Sequence, residues 1–372
     1  MCQLAHLIVC VVGVGAATAI GMTRVVGAQG PPPVTLVPCG VPQGARVGGP
    51  PQVPIAGGPS SGAGSLPSTL PGGLRLRRVQ GSVYMLSGAG ANIAVQVGSD
   101  GVLIVDSGRT DMANAVIAAL RQLTPAPLQM IINSTGDADH TGGNEAVARA
   151  GRRLTSALGA GGGATVGAAI IARQAVMDRM IKEKASDCAL PTTTYDVYPT
   201  RSLYFNDEGI ELRHVAAAHS DGDSLVFFRR SDVVSVGEIF NTNLYPFIDI
   251  EHGGSVDGVV AALNELLEIT IPALKQEGGT YVIPGRGRLA DEADVSEYRD
   301  MVTIVRDRVR ALIARKMTLE QVKAERPTLD YDGRYGGTEG PWTPDRFVEA
   351  VYRSLSQSPA APATRPAGGQ RR

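Results

Sequence analysis

The chain has 372 residues, with 35 basic against 36 acidic side chains and a formal net charge of −1. That length can bury a substantial core, and the even charge balance speaks against a nucleic-acid groove or a polybasic membrane patch. Glycine (46) and proline (24) crowd into the two ends of the chain. Between them lie the alternating apolar runs of an ordinary α/β protein.

Residues 7–20 are nearly all apolar or small, too short for a firm membrane span, and Val26-Gly27-Ala28-Gln29 follows as a small-residue stretch. Residues 1–29 therefore read as a signal peptide, with His6 the only basic candidate ahead of the apolar run and an uncleaved anchor helix as the alternative. The expected location is periplasmic or extracellular. Residues 30–73 are dominated by Pro, Gly, Ser and Ala, which cannot offset chain entropy by burial, and read as a flexible tether. Signal removal would leave Cys39 and Cys188 of the four cysteines. An exported context permits a disulfide between them, and two unrelated thiols fit equally.

The folded part spans 74–297. Residues 83–86 and 91–97 read as paired strands, and Val102 to Val105 as a short buried strand ending in Asp106-Ser107-Gly108. A helix over 111–123 carries Val116, Ile117, Leu120 and Leu123 on one face, and Pro125 and Pro127 stop it. Residues 130–133 form the next strand, with 134–140 as the loop at its carboxyl end. After a glycine-rich insertion at 159–163, a helix is expected around 168–184. Strands follow at 210–215, 224–228 and 233–236, a helix at 256–267, and a last strand at 281–284. Residues 298–357 read as a helical extension packed on the domain, with a capping box at Thr318 and Gln321. Its final helix opens at Trp342-Thr343-Pro344, and 358–372 is a tail like the tether. The order suits two sheets sandwiched between helices, an αββα arrangement.

Four polar clusters sit at strand ends. The first is residues 133–144, where Asp137, Asp139 and His140 converge between an apolar strand and Gly142-Gly143. Carboxylates so close repel unless a cation relieves them; a polar turn capping the helix near Asn144 is the plainer reading. The others are His219-Ser220-Asp221-Gly222-Asp223, Gly237-Glu238 and Ile283-Pro284-Gly285-Arg286-Gly287. His214 reads as structural, and His252 behind the loop 245–249 as a lesser candidate for substrate contact.

Taken in order, these clusters resemble the metallo-β-lactamase superfamily over about residues 74–355. The family's strand-end aspartate is matched by Asp106, and its His-x-His-x-Asp-His signature falls on residues 135–140. Its next histidine falls on His219, its Gly-Asp on Gly237-Glu238, and its Ile-Pro-Gly-His-Gly on residues 283–287. The departures are Thr135 and Asp137 for the two leading histidines, Glu238 for aspartate and Arg286 for the last histidine. The resemblance implies the αββα fold and a metal-dependent hydrolase acting on a small-molecule substrate through an ester, amide, lactone or phosphoester bond.

Intact relatives hold two zinc ions. Here the implied ligands are Asp137, Asp139, His140, His219 and Glu238, around one divalent ion. This oxygen-rich set suits manganese, iron or magnesium as well as zinc. Asp139 would orient a water and Arg286 would steady an anionic substrate group. The alternative is that Arg286, which cannot ligate, replaces the second metal, pairs with Asp139 or Asp137 and leaves an inactive binding pocket. No nucleic-acid partner is expected, and no membrane unless the first segment is retained.

Overall fold

The computed structural model describes residues 70–152, 167–337 and 340–357. The expected signal, residues 30–69 of the expected tether, Cys39, the glycine-rich insertion and the tail lie outside the described residues, whereas Leu70, at the end of the expected tether, is buried against the first sheet. The first sheet opens as an antiparallel meander of β1 (Arg75–Gln80), β2 (Val83–Ala89), β3 (Ala91–Gly98) and β4 (Gly101–Val105). It continues in parallel through β5 (Leu128–Ile132), β6 (Ala169–Arg173) and β7 (Thr193–Tyr195). All five residues of β4 are buried, as the run without polar alternation requires of a strand covered on both faces.

The second sheet holds β8 (Thr200–Phe205), β9 (Glu208–His214), β10 (Ser224–Phe228), β11 (Val233–Ser235) and β12 (Tyr281–Ile283). Its order is β12-β11-β10-β9-β8, antiparallel except for the β11–β12 pair. Asn206 and Asp207 join β8 to β9 with φ of 53° and 57°, the two left-handed residues that a tight hairpin turn wants.

Three apolar layers separate these sheets and their helices. Met85, Leu103, Val105 and Ile132 meet Leu212, Val226, Phe228 and Ile283 between the sheets. Outside the first sheet, α1 (Ala113–Leu123) and α3 (Asn144–Ala150) cover Ile104 and Ile131 with Val116, Leu120 and Val147. Outside the second, α5 (Val256–Ile269), α6 (Glu292–Ala314) and α9 (Pro344–Gln357) cover Leu225 and Val234. The expected αββα sandwich is therefore the fold, with a helical C-terminal part. Short helices α2 (Ala138–Thr141), α4 (Gln174–Lys182), α7 (Leu319–Ala324) and α8 (Asp332–Tyr335) complete it.

Several local expectations are corrected. The stretch 168–184 is not one helix: residues 169–173 are β6, because Ile170 and Ile171 pair alongside Ile131 and Ile132 of β5, and α4 starts only at Gln174. Strands β1, β7 and β8 carry exposed polar residues at sheet edges and lack an apolar run to announce them. Helix α6 begins at Glu292 behind an Asp291–Asp294 capping box and so runs across the boundary expected at 297. The Thr318–Gln321 capping box is present. Among the described residues no helix is long and apolar enough to cross a membrane.

Candidate metal centre

Strand ends at one edge of the sandwich position the polar clusters. Asp106 follows β4 with φ of 67°, a costly conformation for a non-glycine residue. Its buried carboxylate accepts from the Ser134 backbone N–H at 2.8 Å and the Ser134 hydroxyl at 2.6 Å, and meets His140 Nδ1 at 2.8 Å. The strained backbone thus places one carboxylate under the loop after β5 and orients a histidine with it. Gly143 keeps this loop close: a Cβ there would lie 2.4 Å from the Ser107 carbonyl oxygen.

Two acid–histidine triads stand on this frame. In the first, the donor atoms of Asp137, His219 and Asp249 all lie within 4.8 Å of one another. In the second, the same holds for Asp139, His140 and Glu238. The five sequence-expected ligands are thus divided, two in one group and three in the other, and Asp249 joins the smaller set. Thr135 stays beside His219, its hydroxyl 3.4 Å from Nδ1.

Each triad has its own arginine. Arg286 contacts Asp139, lies 3.3 Å from Glu238 Oε1 through Nε, and donates to the Gly90 carbonyl at 2.9 Å. Burial lowers its pKa from the ordinary value, and a guanidinium so placed stays charged. His140 Nε2 meets Glu238 Oε1 at 2.9 Å. Burial alone would lower the His140 pKa; Asp106 and Glu238 outweigh it and hold it well above the ordinary imidazole value. In the first triad, Arg179 of α4 approaches Asp137 Oδ1 at 2.8 Å and Asp249 Oδ2 at 3.3 Å.

The two triads differ in one decisive respect. His219 is fully buried, and Asp223 holds its Nδ1 at 3.1 Å. Its Nε2 lies 3.1 Å from Asp137 Oδ2, yet the contact is not aligned as a hydrogen bond and Nε2 has no such partner among the described residues. A carboxylate on the other ring nitrogen is how metal-binding histidines are commonly oriented. One imidazole and two carboxylates here fit a divalent ion. In the second triad both ring nitrogens of His140 are already hydrogen-bonded, to Asp106 and Glu238, and Arg286 contacts Asp139 and Glu238, so that group does not fit an ion as it stands.

Burial raises the pKa of Asp137, but His219 and Arg179 outweigh burial and hold it well below the usual carboxylate range. His219 follows the pattern of His140: burial lowers its pKa, and Asp223 with Asp137 carries it well above the ordinary value. His252 stands behind the first triad, its Nδ1 2.7 Å from Asp249 Oδ2. His214 Nδ1 meets the Asp223 carbonyl at 3.0 Å, away from both triads.

Sequence reasoning missed Asp249, Arg179 and Trp342 as site residues. Asp249 closes the loop 245–249, so its place at the cleft was the one available signal. Arg179 sits on an amphipathic helix like any surface cation, and nothing marks it. Trp342 was read as a helix start, yet its ring lies under the Arg286 guanidinium at 4.8 Å.

Residues 87–152 match the family model described as the metallo-beta-lactamase superfamily. No curated protein matches the chain. Among solved structures, the stereoselective inverting sec-alkylsulfatase Pisa1 from Pseudomonas sp. is similar at 15% identity and a TM-score of 0.56, over 79% of this chain and 52% of that one. A double mutant of the sec-alkyl sulfatase PisA1 gives 16% identity and 0.55, over 78% and 52%. A metallo-beta-lactamase from Pontibacter korlensis gives 12% and 0.48, over 62% and 99%. The chain therefore spans about half the length of the alkylsulfatases, and at these identities they speak to the fold alone. The likeness to the metallo-β-lactamase superfamily is thus carried by residues 87–152, within the two-sheet sandwich.

Proposed function

We propose that the protein is an exported, single-metal hydrolase in which Asp137, His219 and Asp249 hold the ion and Arg286 is a fixed cation in the neighbouring position. The observation that carries this reading is the buried His219, oriented by Asp223 through Nδ1, whose Nε2 faces Asp137 at 3.1 Å in a cluster with Asp249. The mixed oxygen and nitrogen set suits zinc, manganese or iron. A divalent ion bound there would lower the pKa of a water and polarise an acyl, sulfuryl or phosphoryl oxygen.

The chain's own residues supply the rest. Asp139, 22% exposed and held by Arg286, would take a proton from an attacking water. Arg286 adds positive charge where an oxyanion develops. Asp106 fixes His140, which with Glu238 holds Arg286 in place. Export is supported by the apolar and small residues 7–20 followed by Val26-Gly27-Ala28-Gln29, the pattern of a signal peptide.

A second reading, a metal-free binding pocket, draws on the two arginines that already neutralise the triads. Elemental analysis of protein purified without chelator separates the two. The hydrolase reading expects about one equivalent of metal, lost in His219→Ala and Asp249→Ala and kept in Glu238→Gln. Metal-free protein that also refuses zinc, manganese and iron on reconstitution would establish the second reading instead.

A further inference from the structure

The loop carrying Asp249 has a second role visible in its neighbours. A cleft of about 550 Å³ opens beside it: Phe247, Ile250, Pro341, Phe347 and Ala350 form an apolar wall, and Asp249 lines it together with the charged Glu251, Arg346, Glu349 and Arg353. That volume is within the usual range for small-molecule sites. Phe247 is shared with the metal centre: its ring lies 5.5 Å from that of His219. The adjoining Trp342 meets Phe247 edge-on at 6.2 Å and reaches Arg286, so one aromatic wall spans both triads. The Trp342 indole N–H is buried and has no hydrogen-bond partner among the described residues.

We propose that this cleft binds the apolar part of the substrate, an alkyl chain or aryl ring extending from the bond that is cut. The proposal rests on the metal-centre reading above, because it places the reacting group at Asp249 and the apolar group beyond it. Each element follows from the residues. Phe247, Ile250 and Ala350 provide apolar contact, Asp249 ties the cleft to the triad, and Trp342 packs on Phe247 and reaches Arg286. The substrate class is an ester with a long or flat apolar group, which a small ester such as an acetate would not match.

The test uses methylphosphonate and hexylphosphonate, titrated by calorimetry into both the metal-loaded and the chelator-treated full-length protein. Trp342, the chain's single tryptophan, gives a fluorescence readout of the same titrations. Hexylphosphonate should bind at least about tenfold tighter than methylphosphonate, since each buried methylene adds favourable transfer energy. Ala350→Phe, which fills the cleft, and Ile250→Asn, which makes its wall polar, should each bring the ratio below about threefold while leaving metal content unchanged. Equal binding of the two phosphonates, or a ratio that survives both variants, overturns the proposal. A chain-length preference in protein that takes up no zinc, manganese or iron on reconstitution would overturn the hydrolase reading and leave the cleft assignment standing.

Discussion

Arg179 sets Nη2 2.8 Å from Asp137 Oδ1 and Nη1 3.3 Å from Asp249 Oδ2, and so holds the two carboxylates proposed to bind metal. In the absence of an ion the guanidinium neutralises them; with an ion bound it becomes a like charge at close range. Arg179→Met should therefore tighten divalent-metal binding, by about tenfold for about 1.4 kcal/mol of relieved repulsion. Competition against a chelator of known affinity reads this directly. Weaker binding in the variant would mean that Arg179 organises the carboxylates more than it competes for them.

Metal binding at His219 has to displace a proton. Burial lowers the His219 pKa, but Asp223 and Asp137 outweigh it and raise it well above the ordinary value. Affinity should therefore fall as pH drops through that raised value, with about one proton released per ion bound. Calorimetry in two buffers of different ionisation enthalpy counts the protons, and zero release would rule out His219 as the ligand.

The same shifts set the pH dependence of the metal-free protein. For His140 and His219 burial is outweighed by the neighbouring carboxylates, so both pKa values are higher folded than unfolded. Their stabilising contribution is full below the unfolded value of about 6.5 and is lost as pH rises through the folded values. Thermal unfolding in chelator should show a melting temperature that declines on the alkaline side. Metal-loaded protein, with the His219 proton already displaced, should decline less.

Asp106 combines backbone strain with three polar contacts. Asp106→Asn keeps a side chain that tolerates the left-handed conformation but removes the charge facing His140. The variant should be destabilised by about 1–3 kcal/mol, read as a shift in the denaturation midpoint at unchanged slope. Asp106→Ala also leaves the buried imidazole without its partner and should cost about 3–5 kcal/mol.

Arg286 offers a gain-of-site experiment. Arg286→His removes the guanidinium that contacts Asp139 and Glu238 and supplies a nitrogen donor beside His140. Metal content should rise from about one toward about two equivalents. Unchanged stoichiometry would show that Glu238, one methylene longer than aspartate, cannot close a second site.

Much of the architecture was legible because it follows from local periodicity. The all-apolar β4, the amphipathic face of α1 and the Thr318–Gln321 box each announce themselves within a few residues. The polar clusters at 137–140, 219, 238 and 286 stood out for a related reason, since polar groups ending apolar strands are placed by the strands themselves. Strands β1, β7 and β8 did not stand out, because an edge strand need not bury both faces.

What the sequence by itself determined is the sandwich, its strand-end polar residues and the replacement of three histidines and one aspartate in the expected motif. The tertiary structure decided how those residues are shared. The five expected ligands lie in two groups, Asp249 completes one of them, and Arg179 and Arg286 each serve a different group. Such pairings join residues 42 positions apart, as Asp137 and Arg179 are, or 147 apart, as Asp139 and Arg286 are. No local pattern encodes which carboxylate a guanidinium reaches, because that depends on how two sheets and their helices close on one another. The same closure brings Trp342, just before the last helix, against Arg286, 56 positions earlier in the chain.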